Sequence, residues 1–391
     1  MMDVVYNHTA VTKGGNFERT VPGYFYRTDE EGKWANASGC GNETASERLM
    51  MRRFMIESVC YWAREYHIDG FRFDLMGIHD IETMNAIRKA LDKIDPTICM
   101  YGEGWAAGEP QLPDSLLAMK KHAARLPHIG MFCDEMRDSL RGPWGNDAKG
   151  AFVIGRMGYA AGVKFGLAGG IAHPQLVSDK ESTVPAFWAA QPEQMISYVS
   201  CHDDLCLADR LKATLPGLSA LEMNALAKLA ATAVFTSQGI PFWYAGDEVL
   251  RDKQGVANSY KSPDAINAIN WGRKTSQRDF FDYVRGLIAM RKAHPSFRMG
   301  DADLIAKHLE FLPVPASNVV AFRIKGSPAG DSWLNTIVVL NARTEPVQID
   351  VPEGRYWIAC RDGRIDNVLG LGTLTGNKLV VAPRTAMIVH Q

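Results

Sequence analysis

The sequence predicts an α/β fold, a (β/α)8-type TIM barrel lacking its first two strands, followed by an all-β C-terminal sandwich domain. Three observations predict it. Four apolar, strand-like runs each end in acidic residues: Asp3-Val4-Val5-Tyr6-Asn7-His8, Gly70-Phe71-Arg72-Phe73-Asp74-Leu75-Met76-Gly77, Gly102-Glu103-Gly104-Trp105 and Ser200-Cys201-His202-Asp203-Asp204. Strand and helix patterns alternate over 1–299, and 300–391 carries only short strands broken by Gly, Pro and Asn. In a parallel barrel, catalytic groups sit where strands end and loops to the helices begin, so such carboxylates share one mouth.

Taken in order, 3–5 is the first strand, and Thr44-Ala45-Ser46-Glu47 reads as a capping box opening a long helix through Met51, Met55, Val59, Trp62 and Tyr66. Strand 68–74 follows, then a helix over 80–93 that stops at Asp95-Pro96, and strand 97–101. A helix over 114–125, strands 129–133 and 195–199, a helix capped by Ser219-Ala220-Leu221-Glu222, strand 240–244 and a helix through Phe280, Val284, Leu287 and Ile288 complete this part. That makes six strands where a closed barrel needs eight. With Met1 opening almost inside the first strand, the pattern predicts that two upstream strand and helix units are missing. Beyond 300, strands are expected at 308–312, 319–324, 336–340, 347–351, 356–359, 379–381 and 386–389, in antiparallel arrangement. Loops 9–43, 134–194 and 245–277 are long for simple connections and shape a binding surface.

Composition bounds the partners. The 391 residues are 46% hydrophobic and 22% charged with a net charge of −1, which leaves no basic footprint for nucleic acid or an anionic membrane and favours a neutral substrate. No run approaches the roughly 18 apolar residues of a membrane span. Of seven cysteines, Cys60, Cys99, Cys133 and Cys201 lie in apolar patterns suited to buried, reduced thiols, which favours a cytoplasmic setting, and Cys40 lies in a loop. No Cys-x-x-Cys, His-x-x-His or compact calcium loop occurs, so no metal or other cofactor is expected.

The chemistry follows from strand geometry. Residues two apart share a face, so Arg72 and Asp74 point into the barrel while Phe71 and Phe73 face the helices. An interior arginine holds Asp74 ionised, as a nucleophile requires. Glu103 has the opposite need: negative neighbours Asp74 and Asp203, with partial desolvation by Trp105, keep a proton on it for a leaving oxygen. Once Asp74 is esterified its charge is gone, and Glu103 can deprotonate water.

These segments resemble the four signature regions of the α-amylase superfamily of glycoside hydrolases, in the same order. The resemblance implies Asp74 as nucleophile, Glu103 as general acid/base, Asp203 as transition-state stabiliser, and Asp3, His8, Arg72 and His202 around the first glucose subsite. Within the superfamily, Ser38-Gly39-Cys40-Gly41-Asn42, the Tyr61-Trp62 helix ending in Glu65-Tyr66-His67-Ile68-Asp69-Gly70, Gly239-Ile240-Pro241-Phe242-Trp243-Tyr244-Ala245-Gly246-Asp247-Glu248 and Asn258-Ser259-Tyr260-Lys261-Ser262-Pro263-Asp264 are similar to type I pullulanases. That implies retaining hydrolysis of α-1,6 branch linkages in pullulan, limit dextrins or glycogen. Asp204 stands where the family usually has Asn, and the N-terminal modules of the family are absent from the chain.

Plainer readings stand beside these. An Arg two residues from an Asp is, alone, an ordinary structural ion pair, and His8 and His202 alone are ordinary loop histidines; the other motifs tip both toward substrate. Trp105, Trp144, Trp243 and Tyr6 can each stack on a sugar ring, and Tyr6 and Trp105 are the two assigned to substrate. Another α-glucan hydrolase or transglycosylase, or an inactive glucan-binding fragment, remains an alternative.

Overall fold

A computed structural model describes residues 1–178 and 183–391. The six parallel strands expected from the sequence form where their apolar runs lie: β1 (Met2–Val4), β2 (Gly70–Phe73), β3 (Cys99–Gly102), β4 (Gly130–Phe132), β5 (Met195–Ser197) and β6 (Ile240–Pro241). The chain divides into two units, Met1–Phe132 with Trp188–Met195, and Cys133–Phe187 with Ile196–Gln391.

In the first unit, β1 to β4 pair in parallel and in chain order, with Asp3 beside Arg72, Arg72 beside Tyr101 and Gly102 beside Met131. Phe71 and Phe73 are fully buried, as the alternation requires. Helix Ile81–Asp92 is capped by Asp80, whose side chain accepts from the Thr83 N–H. The long helix begins later than its apparent capping box: it spans Leu49–Tyr66 with no side-chain cap, because Thr44 Oγ1 donates to the Tyr6 carbonyl at 2.6 Å and Glu47 pairs with Arg27 at 2.8 Å. Segment 114–125 is likewise no α-helix. It forms two 3-10 turns, Asp114–Leu116 and Lys120–Arg125. In the 9–43 loop, buried Arg27 reaches Glu43, Glu47 and the Ile78 carbonyl and pins the excursion down.

In the second unit, β5 and β6 pair in parallel through Ile196 and Ile240. Ser219 and Glu222 do form a reciprocal capping box on helix Ala220–Thr236. The sequence predicts an antiparallel β-sandwich from residue 300. The structure shows an all-β, antiparallel region in which β7 (Leu309–Phe311), β8 (Val319–Lys325), β9 (Asn335–Asn341), β10 (Val347–Arg361), β11 (Arg364–Ile365), β12 (Thr373–Val381) and β13 (Thr385–His390) are joined by continuous strand pairing. Strand β10 makes this continuity possible: it shifts register between Asp350 and Gly354 against β12 and then continues beside β13. Val319, Ile337, Ile349, Tyr356, Leu379 and Val389 belong to its apolar core. A short helix, Ala302–His308, precedes β7.

All seven cysteines are free. Cys60 and Cys133 are buried as expected, but Cys99 is exposed and Cys201 only partly covered. Cys99 opens β3 beside Gly70, which has no side chain to cover it.

Candidate active site

Three carboxylates meet one guanidinium in the first unit. The ladder continues past the strand ends, the Asp74 N–H donating to the Val4 carbonyl at 3.0 Å and the Glu103 N–H to the Phe73 carbonyl at 3.1 Å, so the two acids emerge side by side. Arg72 Nη1 lies 2.9 Å from both Asp3 Oδ1 and Asp74 Oδ1, and its Nη2 lies 2.7 Å from Glu103 Oε1. Side-chain exposure falls from 51% for Asp3 to 24% for Asp74 and 8% for Glu103. Burial opposes the charge on Arg72, yet Glu103, Asp3 and Asp74 outweigh it and raise the guanidinium's pKa. Sequence reasoning gave Arg72 to Asp74 alone and gave Glu103 only negative neighbours; the structure adds a cation to Glu103 because β2 and β3 bring position 72 between both acids.

The backbone sharpens this placement. Leu75 adopts a left-handed φ of 38° and its N–H donates to Glu103 Oε2 at 2.8 Å. Two residues on, a Cβ at Gly77 would sit 2.6 Å from the Trp105 carbonyl oxygen, so only glycine lets the turn after β2 approach the turn after β3.

Asn7, which sequence reasoning used only as the neighbour supporting His8, holds Asp74 in the structure. Fully buried, it donates through Nδ2 to the Asp74 carbonyl at 2.7 Å and to Asp74 Oδ2 at 2.9 Å. Its Oδ1 can then only accept, so His8 Nδ1, 2.5 Å away, carries the proton and leaves Nε2 as the basic nitrogen. The signal was the amide's place between an apolar strand and a histidine.

The aromatic candidates separate. Tyr6 packs edge-on to Phe54 and against Phe73, and its hydroxyl reaches Ser58 at 2.7 Å. Burial first raises its pKa, with the Ser58 bond opposing. Trp105 is half-buried, with the Lys120 ammonium 5.9 Å from its ring and Phe132 tilted beside it. Trp243 packs against Phe235 and Phe280. Trp144 is 58% exposed.

His202 and Asp203 lie in the second unit, in the segment after β5, with Nε2 and Oδ2 3.5 Å apart and both side chains about half exposed. Asp204, beside them, is buried with a left-handed φ of 62°. Its Oδ2 lies 2.8 Å from Arg141 Nη2 and 3.8 Å from Arg210 Nη1, a clamp that sequence reasoning had not anticipated. Among the described residues, no group of three or more His, Cys, Asp and Glu could hold a metal ion. No described helix is long and apolar enough to cross a membrane.

Comparison with known proteins shows what the chain resembles. Residues 305–364 match the family model "Pullulanase, all-beta domain". The chain is 38% identical over 352 residues to a pullulanase of Bacillus subtilis (strain 168), covering 90% of this chain and 48% of that protein. The chain is similar to the pullulanases over about half of their length. Among solved pullulanases, that from Bacillus acidopullulyticus superposes with a TM-score of 0.92 at 37% identity, over 100% of this chain and 46% of its own. The Paenibacillus barengoltzii pullulanase, solved with maltohexaose and alpha-cyclodextrin, gives 0.90 at 42% identity, over 100% of this chain and 58% of its own. The chain thus spans about half the length of the pullulanases it matches.

Proposed function

We propose that the chain carries the chemistry of an α-glucan debranching hydrolase, cutting α-1,6-glucosidic bonds in pullulan, limit dextrins or glycogen with retention of configuration. The observation that carries this reading is the shared guanidinium: Arg72 ties Asp74 and Glu103, at the ends of adjacent parallel strands, into one cluster. Retaining glycosidases need two carboxyl groups about 5 Å apart, and two acids flanking one guanidinium suit that requirement. The likeness to solved pullulanases, one with bound maltohexaose, supports an α-glucan as substrate. The reading takes the six parallel strands as part of a (β/α)8-type barrel followed by the β domain from residue 300.

In this reading Asp74, held by Arg72 and Asn7, attacks the anomeric carbon as the glycosidic C–O bond breaks. Three carboxylates on one cation leave surplus negative charge, which favours a proton on one of them. Glu103, the most enclosed, takes the general-acid role and passes a proton to the departing O6. The glycosyl ester neutralises Asp74. Glu103 then takes a proton from water, whose oxygen displaces Asp74 and releases the sugar with its original configuration. Asp203, with His202 beside it, takes the role of transition-state stabiliser, and Asp3, Tyr6, His8 and Trp105 contact the sugar at or near the bond cut.

The test is hydrolysis of pullulan and amylose by the 391-residue chain and its variants. Cleavage of pullulan is expected, with Asp74→Asn and Glu103→Gln each slowing turnover by roughly a thousandfold or more while the fold is retained. Cleavage confined to amylose replaces debranching with another α-glucanase activity, and near-normal turnover in either variant removes the mechanism.

A further inference from the structure

The geometry points to Trp144 as a stacking platform for a glucosyl ring, on a loop held by Arg210, a buried guanidinium that also reaches Asp204 beside Asp203. This rests on the α-glucan reading above and names a contact that reading does not use. Helix Asp134–Arg141 ends at Gly142, whose φ of 108° and 1.8 Å approach of a virtual Cβ to the Lys149 carbonyl fold the 142–149 loop tightly back on itself. Inside the fold sits Arg210, whose side chain has no exposure at all. Its Nη2 donates to the carbonyls of Pro143 at 2.7 Å, Asn146 at 2.8 Å and Lys149 at 3.3 Å, and its Nη1 to Asp147 Oδ1 at 3.1 Å. A fully buried guanidinium is thus committed to the loop that carries one of the most exposed indoles of the chain.

The indole is backed as well as exposed. The guanidinium of Arg137, itself buried, lies 5.9 Å from the Trp144 ring and 5.6 Å from the Tyr198 ring, with Nη1 donating to the Tyr198 hydroxyl at 2.8 Å. A cation on one side of an indole orients it and leaves the other side for a ligand. Pyranose rings present C–H faces that suit a flat aromatic surface, and a ring already immobilised loses little entropy on binding. The link to the reaction is Asp204: Arg141 holds it at 2.8 Å and the following Leu205 carbonyl at 2.6 Å, while Arg210 reaches it at 3.8 Å. Arg210 therefore touches both the Trp144 loop and Asp204 in the turn after Asp203, so a sugar on Trp144 belongs to the same glucan that meets Asp203.

Maltohexaose titrated into the full chain, followed by intrinsic tryptophan fluorescence and by calorimetry, tests this. Wild type is expected to bind with a fluorescence change; Trp144→Ala should weaken binding about five- to tenfold and abolish most of that change, and Trp144→Phe should recover affinity to within about threefold. Unchanged affinity in Trp144→Ala, or no binding of maltohexaose to wild type, overturns the platform. Pullulan hydrolysis by wild type is read separately, so an active enzyme with an indifferent Trp144 refutes only this inference, whereas binding without any hydrolysis refutes the debranching reading and leaves the platform standing.

Discussion

In the first unit one guanidinium serves three carboxylates, whereas in the second Arg141 and Arg210 share the buried Asp204 and Arg210 also holds Asp147. The first cluster keeps a surplus of negative charge and stays partly open, Asp74 retaining 24% exposure. The second is sealed, with Asp204, Arg141 and Arg210 at 5%, 1% and 0%. Surplus anion beside an opening suits chemistry in which a sugar carbon becomes electron-poor. The second cluster, with Arg141 and Arg210 against Asp204 and Asp147, is balanced in charge, and its sealed core has no reacting atom to face and serves to hold chain segments. Charge balance and access, rather than the number of ionic groups, separate the reactive cluster from the scaffold.

The contrast can be broken most severely at Arg72. Arg72→Met leaves Asp74 and Glu103 facing each other without their cation, and should both stop pullulan turnover and lower unfolding free energy by about 3 to 5 kcal/mol in urea titrations. A loss under about 1 kcal/mol would mean the cluster is not a unit.

Next in size is pH, where the two units should respond in opposite senses. Burial, then the nearby Arg27 charge, lowers the pKa of His79 from 6.5 to about 3, and neither of its ring nitrogens has a hydrogen-bond partner among the described residues. The unfolded chain therefore takes up that proton first. Stability contributed by neutral His79 is complete above about 6.5 and is lost as pH falls toward 3, by up to about 4 kcal/mol. Asp247 is the reverse: burial pushes its carboxyl up to about 7, with a hydrogen bond from Ser200 opposing. Here the unfolded chain loses its proton first, so stability falls as pH rises from about 4 to 7. His390, lowered to about 4 by burial, adds an acid slope in the second unit, so the difference curve between wild type and Asp247→Asn isolates the carboxyl. His79→Met should flatten the acid limb, and Asp247→Asn the limb between 4 and 7; parallel curves for variant and wild type would refute either assignment.

Asp204→Asn is the third test. Asparagine keeps the left-handed turn but leaves the buried Arg141 without its anion, while Arg210 keeps Asp147, so a loss of about 2 kcal/mol in denaturant midpoints is expected. Smallest is His202→Gln: half exposed, it should change stability by less than about 0.5 kcal/mol, and a larger loss would make it part of the scaffold.

The strands, and the alternation that places Arg72 beside Asp74, were legible because period-two patterning is a local property. The two capping-box motifs show where such signals stop. Ser219 and Glu222 bond each other across one helical turn, while Thr44 and Glu47, with the same spacing, are drawn off by Tyr6 and Arg27 from elsewhere in the chain. Pro352-Glu353-Gly354 reads as a turn between two strands, yet β10 runs through it as an irregularity, since pairing with β12 resumes at Gly354. Asn7 and the Asp204 clamp were hidden for the same reason: their meaning lies in partners 67 and 63 residues away.

Because a single side chain joins Asp3, Asp74 and Glu103, none of the four can be exchanged without altering the worth of the other three. A single substitution here shifts four charges at once, whereas a change in a surrounding loop touches one contact at a time.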